Sequence, residues 1–442
     1  LIGLVGSEMC IRDRIISIFV LYNLNYINME NVYYSLKDFE LSLKKSAIER
    51  ADDFQQYINQ LNEFGCKSYW ITSQTGVGST MTIEGFSRPV TAFISNDYLG
   101  MSQREETKQA GIDAIIKYGT GACAAQVIGG YLDIHQQLEQ EIASFVGQED
   151  AILFSSGFGA NAGILRALLG QNDIALVDPY IHTSAMAGLK GTNVKRIGHN
   201  DLEYLEKTLK ETKDQYQTRL VIIDGVYSQD GDLSLLPEII SLCKTHEAML
   251  MLDDAHGIGV MGANGRGTAE HFNCLGQVDI ITGTFSKSFG CVGGFAAASK
   301  KIIQYLKFYA DSNVFSAAPT PQVTASILKA LEIIKKEPAI RARLWENTDY
   351  LRSRLTTEGF DIGKSVSPIF PIMIRDNKKV YEIAKMLQEK GIFTIGIVYP
   401  AVRTKEARLR VSVLATHEHE QLDALINALN DINKDIKIKK EQ

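Results

Sequence analysis

Closely spaced cysteines are missing from this sequence of 442 residues. Its six cysteines lie far apart, with no Cys-x-x-Cys pair and no metal-ligand spacing. This pattern excludes a disulfide-stapled scaffold, predicts no metal site and is typical of a reduced, cytoplasmic protein. The cysteines are Cys10, Cys66, Cys123, Cys243, Cys274 and Cys291.

An excess of basic residues is also missing. Lysine and arginine number 46 against 52 aspartates and glutamates, which leaves a net charge of −6. Because no global positive field exists, we expect no nucleic-acid partner. Beyond the first 28 residues no apolar run approaches the roughly 18 residues that span a bilayer, so we predict no transmembrane segment and leave peripheral membrane contact open.

Residues 1–28 resemble nothing that follows them. Arg12 and Arg14 precede an apolar run over 15–24, which imitates a secretory signal. The run is too short to span a bilayer, however, and no small-residue cleavage site follows it. We interpret the segment as a non-native or read-through leader, with translation beginning at Met29.

The middle of the chain alternates short β-branched runs with helical patterns. Such alternation predicts an α/β fold with a mostly parallel sheet and helices on both faces. The strand-like runs are Ala151–Ser156, Ile174–Asp178, Leu220–Asp224, Ala248–Asp253 and Asp279–Thr284.

Helix boundaries are signalled by capping residues. Ser102 with Glu105 and Asn200 with Glu203 have the spacing of a capping box, which predicts helix starts at these positions. Gly119 and Gly147 each predict the end of a helix.

The order of elements changes after a long helical pattern that begins near Ala325. Two helices and three strands then follow in mixed order, which predicts a smaller α+β domain. The strand-like runs there are Ile369–Ile374, Phe393–Val398 and Ala407–Leu414, and the helical ones are Lys378–Lys390 and Glu418–Ile432. The predicted division is a leader over 1–28, an N-terminal arm over 29–80, a large domain over 81–325, a small domain over 326–434 and a charged tail over 435–442.

Lys287 stands among small and hydroxyl residues just after an apolar strand, in the segment TGTFSKSFG. Schiff-base chemistry needs a desolvated amine of this kind, and Thr284 and Ser286 could donate to a phosphate beside it. The alternative is a strand-end lysine whose amine reaches water. This segment alone leaves both interpretations open.

A second apolar strand ends in Asp253, Asp254 and His256. Because ligands bind at the carboxyl ends of parallel strands, these side chains suggest a site. A metal site is weakly supported without further ligands, and the glycine fingerprint that starts at Gly257 leads into turn residues instead of a helix. The third interpretation pairs Asp253 with a cofactor ring nitrogen and places His256 near a ring substituent.

Two further segments complete a pattern. The turn SSGFG over 155–159 opens a helix whose free N–H groups form an anion site, and His182 follows another strand end. Alone, each has an ordinary structural explanation. Together with the lysine and the Asp-x-x-His pair, they meet four needs of pyridoxal phosphate, namely imine formation, pyridinium pairing, phosphate binding and ring stacking.

The segments LDDAHGIGV and GTFSKSFG, with SSGFGAN and NDYLG before them and ARLRVS after them, resemble the α-oxoamine synthases. These fold-type I, aspartate aminotransferase-like enzymes use pyridoxal 5'-phosphate. They include serine palmitoyltransferase, glycine C-acetyltransferase, 8-amino-7-oxononanoate synthase and 5-aminolevulinate synthase. The resemblance covers about residues 68–432 and implies a large, mostly parallel sheet domain with a smaller C-terminal α+β domain.

The resemblance implies four catalytic residues. Lys287 would form the Schiff base with the cofactor, and Asp253 would pair with the pyridine nitrogen so that the ring withdraws electrons. His256 would hydrogen-bond the phenolic oxygen of the ring. His182 would stack on the ring and contact the incoming carbonyl.

The resemblance also implies a phosphate pocket. The backbone amides of Gly157 and Phe158 would bind the phosphate, and Ser228 and Thr284 would complete the pocket. Ser316 resembles the residue that reaches the phosphate of the neighbouring subunit, which implies a homodimer with shared active sites.

The implied reaction condenses an amino acid, serine or glycine, with an acyl-CoA. Arg410 would bind the amino-acid carboxylate through its bidentate fork, and Asn96 would line the same region. Coenzyme A and carbon dioxide leave, and an α-amino ketone remains. A non-catalytic partner subunit is disfavoured because Lys287, Asp253 and His256 are all present.

The C-terminal half looks most like bacterial serine palmitoyltransferases, which predicts a role in sphingolipid biosynthesis. Three departures bear on the substrate. Gln126 stands where the family usually has arginine, and Gly130-Tyr131 stands where palmitoyltransferases commonly have Gly-Thr. Val398 stands where some relatives have an arginine. Tyr399-Pro400 is closer to glycine C-acetyltransferases, so that activity and 8-amino-7-oxononanoate synthase activity stay open.

Overall fold

The computed structural model describes residues 34–39, 45–66 and 69–439. The leader expected over 1–28 and the end of the predicted tail lie outside these ranges. None of the helices within them is long and apolar enough to cross a membrane. The five cysteines in the same ranges form no disulfide.

Helices and strands alternate through most of the chain. The strands are β1 (Thr80–Met81), β2 (Val90–Ala92), β3 (Asp150–Phe154), β4 (Ile174–Val177), β5 (Asn193–Arg196), β6 (Arg219–Asp224), β7 (Met249–Asp253), β8 (Ile280–Thr284), β9 (Gly294–Ala298), β10 (Ile369–Met373), β11 (Ile392–Phe393), β12 (Ile395–Ile397) and β13 (Arg408–Ser412). The α-helices are α1 (Ala47–Phe64), α2 (Glu105–Tyr118), α3 (Asp133–Val146), α4 (Gly157–Leu168), α5 (Thr183–Gly188), α6 (Leu202–Thr212), α7 (Leu236–Thr245), α8 (Thr268–His271), α9 (Lys300–Tyr309), α10 (Asp311–Val314), α11 (Pro321–Lys336), α12 (Pro338–Thr357), α13 (Asn377–Glu389) and α14 (His419–Asp435).

A seven-stranded sheet with the order β3-β9-β8-β7-β6-β4-β5 forms the centre of the molecule. Strands β4 to β8 pair in parallel, whereas β9 runs antiparallel between β3 and β8. Neighbouring residues of one strand pack into different apolar cores, as Val221 and Ile222 do. The sheet is therefore buried on both faces, which explains its continuous apolar runs and confirms the predicted α/β class.

The five strands predicted in the middle of the chain are confirmed as β3, β4, β6, β7 and β8, but two strands of the sheet were missed. Strand β5 is an edge strand that is mostly exposed, so it has no apolar run. Strand β9 has the sequence GFAAA, whose small residues have low β-propensity and are buried only because β3 and β8 flank them.

The predicted helix ends at Gly119 and Gly147 are confirmed. Both predicted capping boxes are wrong. Helix α2 follows Arg104, and Ser102 lies in a preceding 3-10 turn. Helix α6 is capped by Asp201, whose side chain accepts the N–H of the residue three positions on, so the cap lies one residue after the predicted one.

The C-terminal part forms an antiparallel sheet, β10-β13-β12, and strands β1 and β2 join β11 in a third sheet. The predicted strand Phe393–Val398 is divided between β11 and β12. The Ser412 N–H donates to the Phe93 carbonyl (2.8 Å) and the Ala415 N–H to the Tyr98 carbonyl (2.8 Å). These bonds hold residues 93–98 beside β13, while the predicted domain boundaries stay predictions.

Gly294 on β9 gives the first testable prediction. A Cβ added there would lie 2.5 Å from the Gly157 nitrogen and 2.6 Å from its Cα, at the start of α4. We expect Gly294→Ala to reduce the free energy of unfolding by about 1–3 kcal/mol, because backbone must move to admit the methyl group. Urea unfolding measures the change. Gly78→Ala, where no atom lies within 4 Å of the added Cβ, is the control and should leave stability unchanged or slightly raised.

Candidate active site

A cavity of about 280 Å³ lies where β6, β7 and β8 end. Parallel pairing places the carboxyl ends of these strands at one edge of the sheet, so residues far apart in sequence meet there. Eight predicted site residues line the cavity: Gly157, Phe158, His182, Ser228, Asp253, His256, Thr284 and Lys287.

Lys287 follows β8 and lines this cavity, partly buried. Burial lowers the pKa of its amine to about 8, although the carboxylates of Asp253 and Asp224 raise it. A lysine of this pKa is partly neutral near pH 8 and is therefore a usable nucleophile and base. The structure thus favours the buried-amine interpretation of Lys287 over the surface one.

Asp253 ends β7 with both carboxylate oxygens engaged. One accepts the side-chain N–H of Asn161 (2.6 Å) and the other the backbone N–H of Ala255 (3.1 Å). Asp224 is its register partner on β6, and burial together with the charge of Asp253 raises the pKa of Asp224 well above its usual value. Sequence reasoning missed Asn161 and Asp224, because neither belongs to a motif that signals chemistry.

His256 and Asp254 have different surroundings. The Nδ1 atom of His256 lies 2.8 Å from the Tyr98 hydroxyl, and burial holds the pKa of His256 well below its usual value, so the ring is neutral. Asp254 accepts both the N–H and the hydroxyl of Thr268 (2.7 Å for the N–H). It therefore shapes the turn after β7, and a Cβ at Gly257 would overlap its carboxylate at 2.0 Å. The glycine fingerprint thus makes room for this turn, and no nucleotide-binding helix follows it.

The start of α4 forms one end of the cavity. Ser156 caps the helix by accepting the N–H of Gly159 (2.9 Å), while the N–H groups of Gly157 and Phe158 lie in the first turn, where no helical carbonyl can accept them. Such free N–H groups bind phosphate. A Cβ at Gly157 would lie 2.9 Å from the Thr284 Cβ, so glycine lets the end of β8 approach this helix.

Arg410 and Asn96 lie together beside the cavity, although 314 positions separate them. The guanidinium donates to the Asn96 side chain (3.2 Å), to the Ser228 carbonyl (2.7 Å) and to the Ser412 hydroxyl (2.9 Å). It thereby connects β13 to the predicted phosphate pocket. Ser316, by contrast, is half-buried and lies outside this cavity, and its hydroxyl donates to the Ala317 carbonyl (3.4 Å).

Two of the departures from the family pattern, Gln126 and Val398, lie at defined positions in the fold. Gln126 donates to the carbonyl of Leu153 at the edge of the central sheet (3.1 Å). Val398 is buried in the apolar core just before Tyr399. Neither side chain lines the cavity described above.

A charged cluster supports the loops that carry His182 and Ser228. His199 lies between the carboxylates of Asp178 (3.0 Å) and Asp232 (2.9 Å), at the ends of separate loops. Burial lowers the pKa of His199, but these two carboxylates outweigh the effect and raise it to about 9. The imidazolium therefore joins the loops after β4, β5 and β6. Sequence reasoning missed the cluster, since its members belong to no motif.

The His199 cluster predicts a pH dependence of stability. Because its pKa is raised from 6.5 to about 9, its contribution is fully present below pH 6.5 and is lost as pH rises through 9. At about 1.4 kcal/mol per pKa unit, this contribution to the free energy of unfolding is at most about 3.5 kcal/mol. Urea unfolding should show His199→Gln less stable than the parent at pH 6 and nearly equal to it at pH 10. Parallel curves would contradict the assignment. In the control His271→Gln this trend should be absent, since burial lowers the pKa of His271.

The donor set fits pyridoxal phosphate. First-turn N–H groups lie at one end of the cavity, an amine lines it for the aldehyde, and a buried carboxylate, Asp253, lines it for the pyridine nitrogen. These groups converge on one cavity instead of lying at separate surface positions.

Comparison with known proteins places the chain in a family. The sequence model of the aminotransferase class I and II family matches residues 88–429. Serine palmitoyltransferase (SPT) of Sphingobacterium spiritivorum is 40% identical over 88% of this chain and 97% of that protein. The 8-amino-7-oxononanoate synthase of Thermoanaerobacter pseudethanolicus is 38% identical over 89% of this chain and 100% of that protein.

A solved structure agrees with this result. A high-resolution structure of SPT with an internal aldimine of pyridoxal phosphate (PLP) superposes on this protein with a TM-score of 0.85. The two sequences are 27% identical, and the match covers 89% of this chain and 100% of that one. The fold is thus the aminotransferase-like fold-type I that the motifs imply. The chain belongs to the aminotransferase class I and II family and, within it, to the α-oxoamine synthases, which are pyridoxal phosphate-dependent acyltransferases.

Proposed function

We propose that the protein condenses serine with a long-chain acyl-CoA, with loss of carbon dioxide, as serine palmitoyltransferases do. The observation that carries the proposal is one cavity that brings together the Lys287 amine and the Asp253 carboxylate, with Arg410 beside it. Pyridoxal phosphate bound there supplies an electron sink for the amino-acid Cα.

Three side chains have different roles in the proposed reaction. Asp253 keeps the pyridine nitrogen protonated, and Lys287, with a pKa near 8, accepts the proton from the substrate Cα. Arg410 binds the amino-acid carboxylate, because its contacts with Ser228 and Asn96 hold the guanidinium plane in a defined orientation.

A second cavity, of about 610 Å³, provides room for the acyl thioester. It shares His182 and Ser228 with the first cavity, and its other lining residues include Arg196 and Arg403, both exposed. With Arg408, the cavity has three arginines against the carboxylates of Asp230 and Glu406. This local excess of one positive charge attracts the anionic coenzyme A, although the net charge of the chain is −6.

The choice of substrate rests on resemblance. Relatives with different names are almost equally similar, so 8-amino-7-oxononanoate synthase activity is the second candidate. The solved structures favour the first: SPT superposes at a TM-score of 0.85 and the 8-amino-7-oxononanoate synthase of Francisella tularensis at 0.67. A role in sphingolipid biosynthesis and a cytoplasmic location stay predictions.

The activity is tested by thiol release from coenzyme A esters. Serine with palmitoyl-CoA should release free thiol faster than glycine with acetyl-CoA or alanine with pimeloyl-CoA. Lys287→Ala should lose the visible absorbance of the lysine-bound cofactor and at least about 10³-fold of the activity, because the amine acts as nucleophile and base. Fast release with alanine and pimeloyl-CoA would establish the second candidate, and unchanged absorbance in Lys287→Ala would exclude the role of this lysine.

We also propose that the enzyme is a homodimer with shared active sites. Large apolar side chains near the cavity are exposed, among them Phe158 and Val292 on its lining and Phe315 next to Ser316, at 88% exposure. Such a concentration of exposed apolar side chains marks an interface. A second copy of the chain would cover these residues and bring its own Ser316 to this cavity.

Light scattering tests the homodimer. The protein should have the mass of two chains, and Phe315→Glu should yield monomers with weakened cofactor retention, since a charge buried at an interface is costly. Val366→Glu changes another exposed apolar side chain, one that lines neither cavity, so it serves as the matched control and should remain dimeric. A monomeric parent protein with full activity would contradict the proposal.

A further inference from the structure

A row of polar side chains connects Asp253 to His182 along the lining of the cavity. The Asn161 side-chain nitrogen lies 2.6 Å from the Asp253 carboxylate and 2.9 Å from the Ser184 hydroxyl. The same hydroxyl lies 2.7 Å from Nδ1 of His182. Asn161 and Ser184 are both buried, so these contacts form in an environment of low polarity.

The direction of each hydrogen bond follows from the carboxylate. A carboxylate only accepts, so the Asn161 amide must present its NH₂ group to Asp253. The reverse orientation would place two acceptor oxygens 2.6 Å apart. The amide oxygen then points elsewhere, and it is buried without a hydrogen-bond partner among the described residues. The missing hydrogen bond of the amide oxygen is tolerated because the hydrogen bond from the NH₂ group to the charged Asp253 is stronger than a bond between neutral groups.

Ser184 transmits this direction to His182. One N–H of Asn161 donates to Asp253 and the second to the Ser184 oxygen, so the hydroxyl proton of Ser184 turns to Nδ1 of His182. The Ser184 backbone N–H donates to the same Nδ1 (3.3 Å), because His182 caps helix α5. With two donors directed at it, Nδ1 is an acceptor, and the proton of the neutral ring lies on Nε2.

We propose that Asn161 and Ser184 are positioning residues that hold His182 in its Nε2–H tautomer, so that the ring offers a hydrogen-bond donor to a substrate oxygen. His182 lines both the cofactor cavity and the adjoining 610 Å³ cavity, where a carboxylate or thioester carbonyl would accept this donor. The inference rests on the proposed function for the identity of that oxygen, but the tautomer itself follows from the protein contacts. Burial lowers the pKa of His182, and with the help of Lys287 it outweighs the opposing charge of Asp253, in agreement with a neutral ring.

Solid-state ¹⁵N NMR of the histidine-labelled holoenzyme tests the proposal. The chain has eight histidines, and the difference from His182→Gln identifies the signals of this ring. At pH 7.5 we expect a neutral ring with its proton on Nε2. Ser184→Ala and Asn161→Ala should each introduce the Nδ1–H form and lower kcat/KM by about tenfold or more, because the ring then presents an acceptor to the substrate. The matched control is Ser234→Ala, since Ser234 is a buried serine whose hydroxyl has no hydrogen-bond partner among the described residues. This variant should change neither the tautomer of His182 nor kcat/KM.

The outcomes separate this proposal from the function. A parent enzyme with His182 protonated on Nδ1, or on both nitrogens, would overturn the proposal even if neither variant folds. An unchanged tautomer in both variants would also overturn it. The visible absorbance that depends on Lys287 and the thiol release are measured independently, so an enzyme can keep its activity while this inference fails.

Discussion

A buried carboxylate at the end of β7 is the constraint on which the site depends. Asp253 is removed from water by the sheet and the helices around it, so each of its oxygens needs a donor. Asn161 and the Ala255 backbone supply them. The negative charge also opposes the fall in the pKa of Lys287 and raises the pKa of Asp224, so one charge influences the protonation of its neighbours.

The same site depends on contacts between distant parts of the chain. Arg410 on β13 reaches the carbonyl of Ser228 and the side chain of Asn96, while Tyr98 contacts His256. Because residues 93–98 are hydrogen-bonded to the C-terminal part, a shift of that part would move the groups that we assign to the amino-acid carboxylate. Hydrogen bonds therefore join the residues proposed for the substrate carboxylate to those proposed for the cofactor.

Some residues of the site could be predicted from the sequence and others could not, for physical reasons. Lys287 and Asp253 could be proposed as site residues because a charged residue at or just after the end of a buried apolar run is costly unless it has a role. Asn161 lies within α4 and Ser184 within α5, and amide or hydroxyl side chains at such positions are common in helices that have no function. The capping prediction for Asn200 was wrong because its neighbour Asp201 caps the helix instead. The prediction for Ser102 was wrong because a 3-10 turn contains this residue and the helix begins only after Arg104, which has no side-chain cap.

By itself, the sequence determined the alternation of strands and helices, the lysine after β8 and the acid at the end of β7, since each follows from local patterns of apolar and polar residues. Only the tertiary structure decided that β9 joins the sheet in the antiparallel direction. It alone also placed Arg410 beside Asn96 and set the direction of the hydrogen bonds from Asp253 to His182. These features depend on which groups meet after burial, and a hydrogen bond between residues 92 positions apart, such as that of Asn161 with Asp253, leaves no periodic trace along the chain.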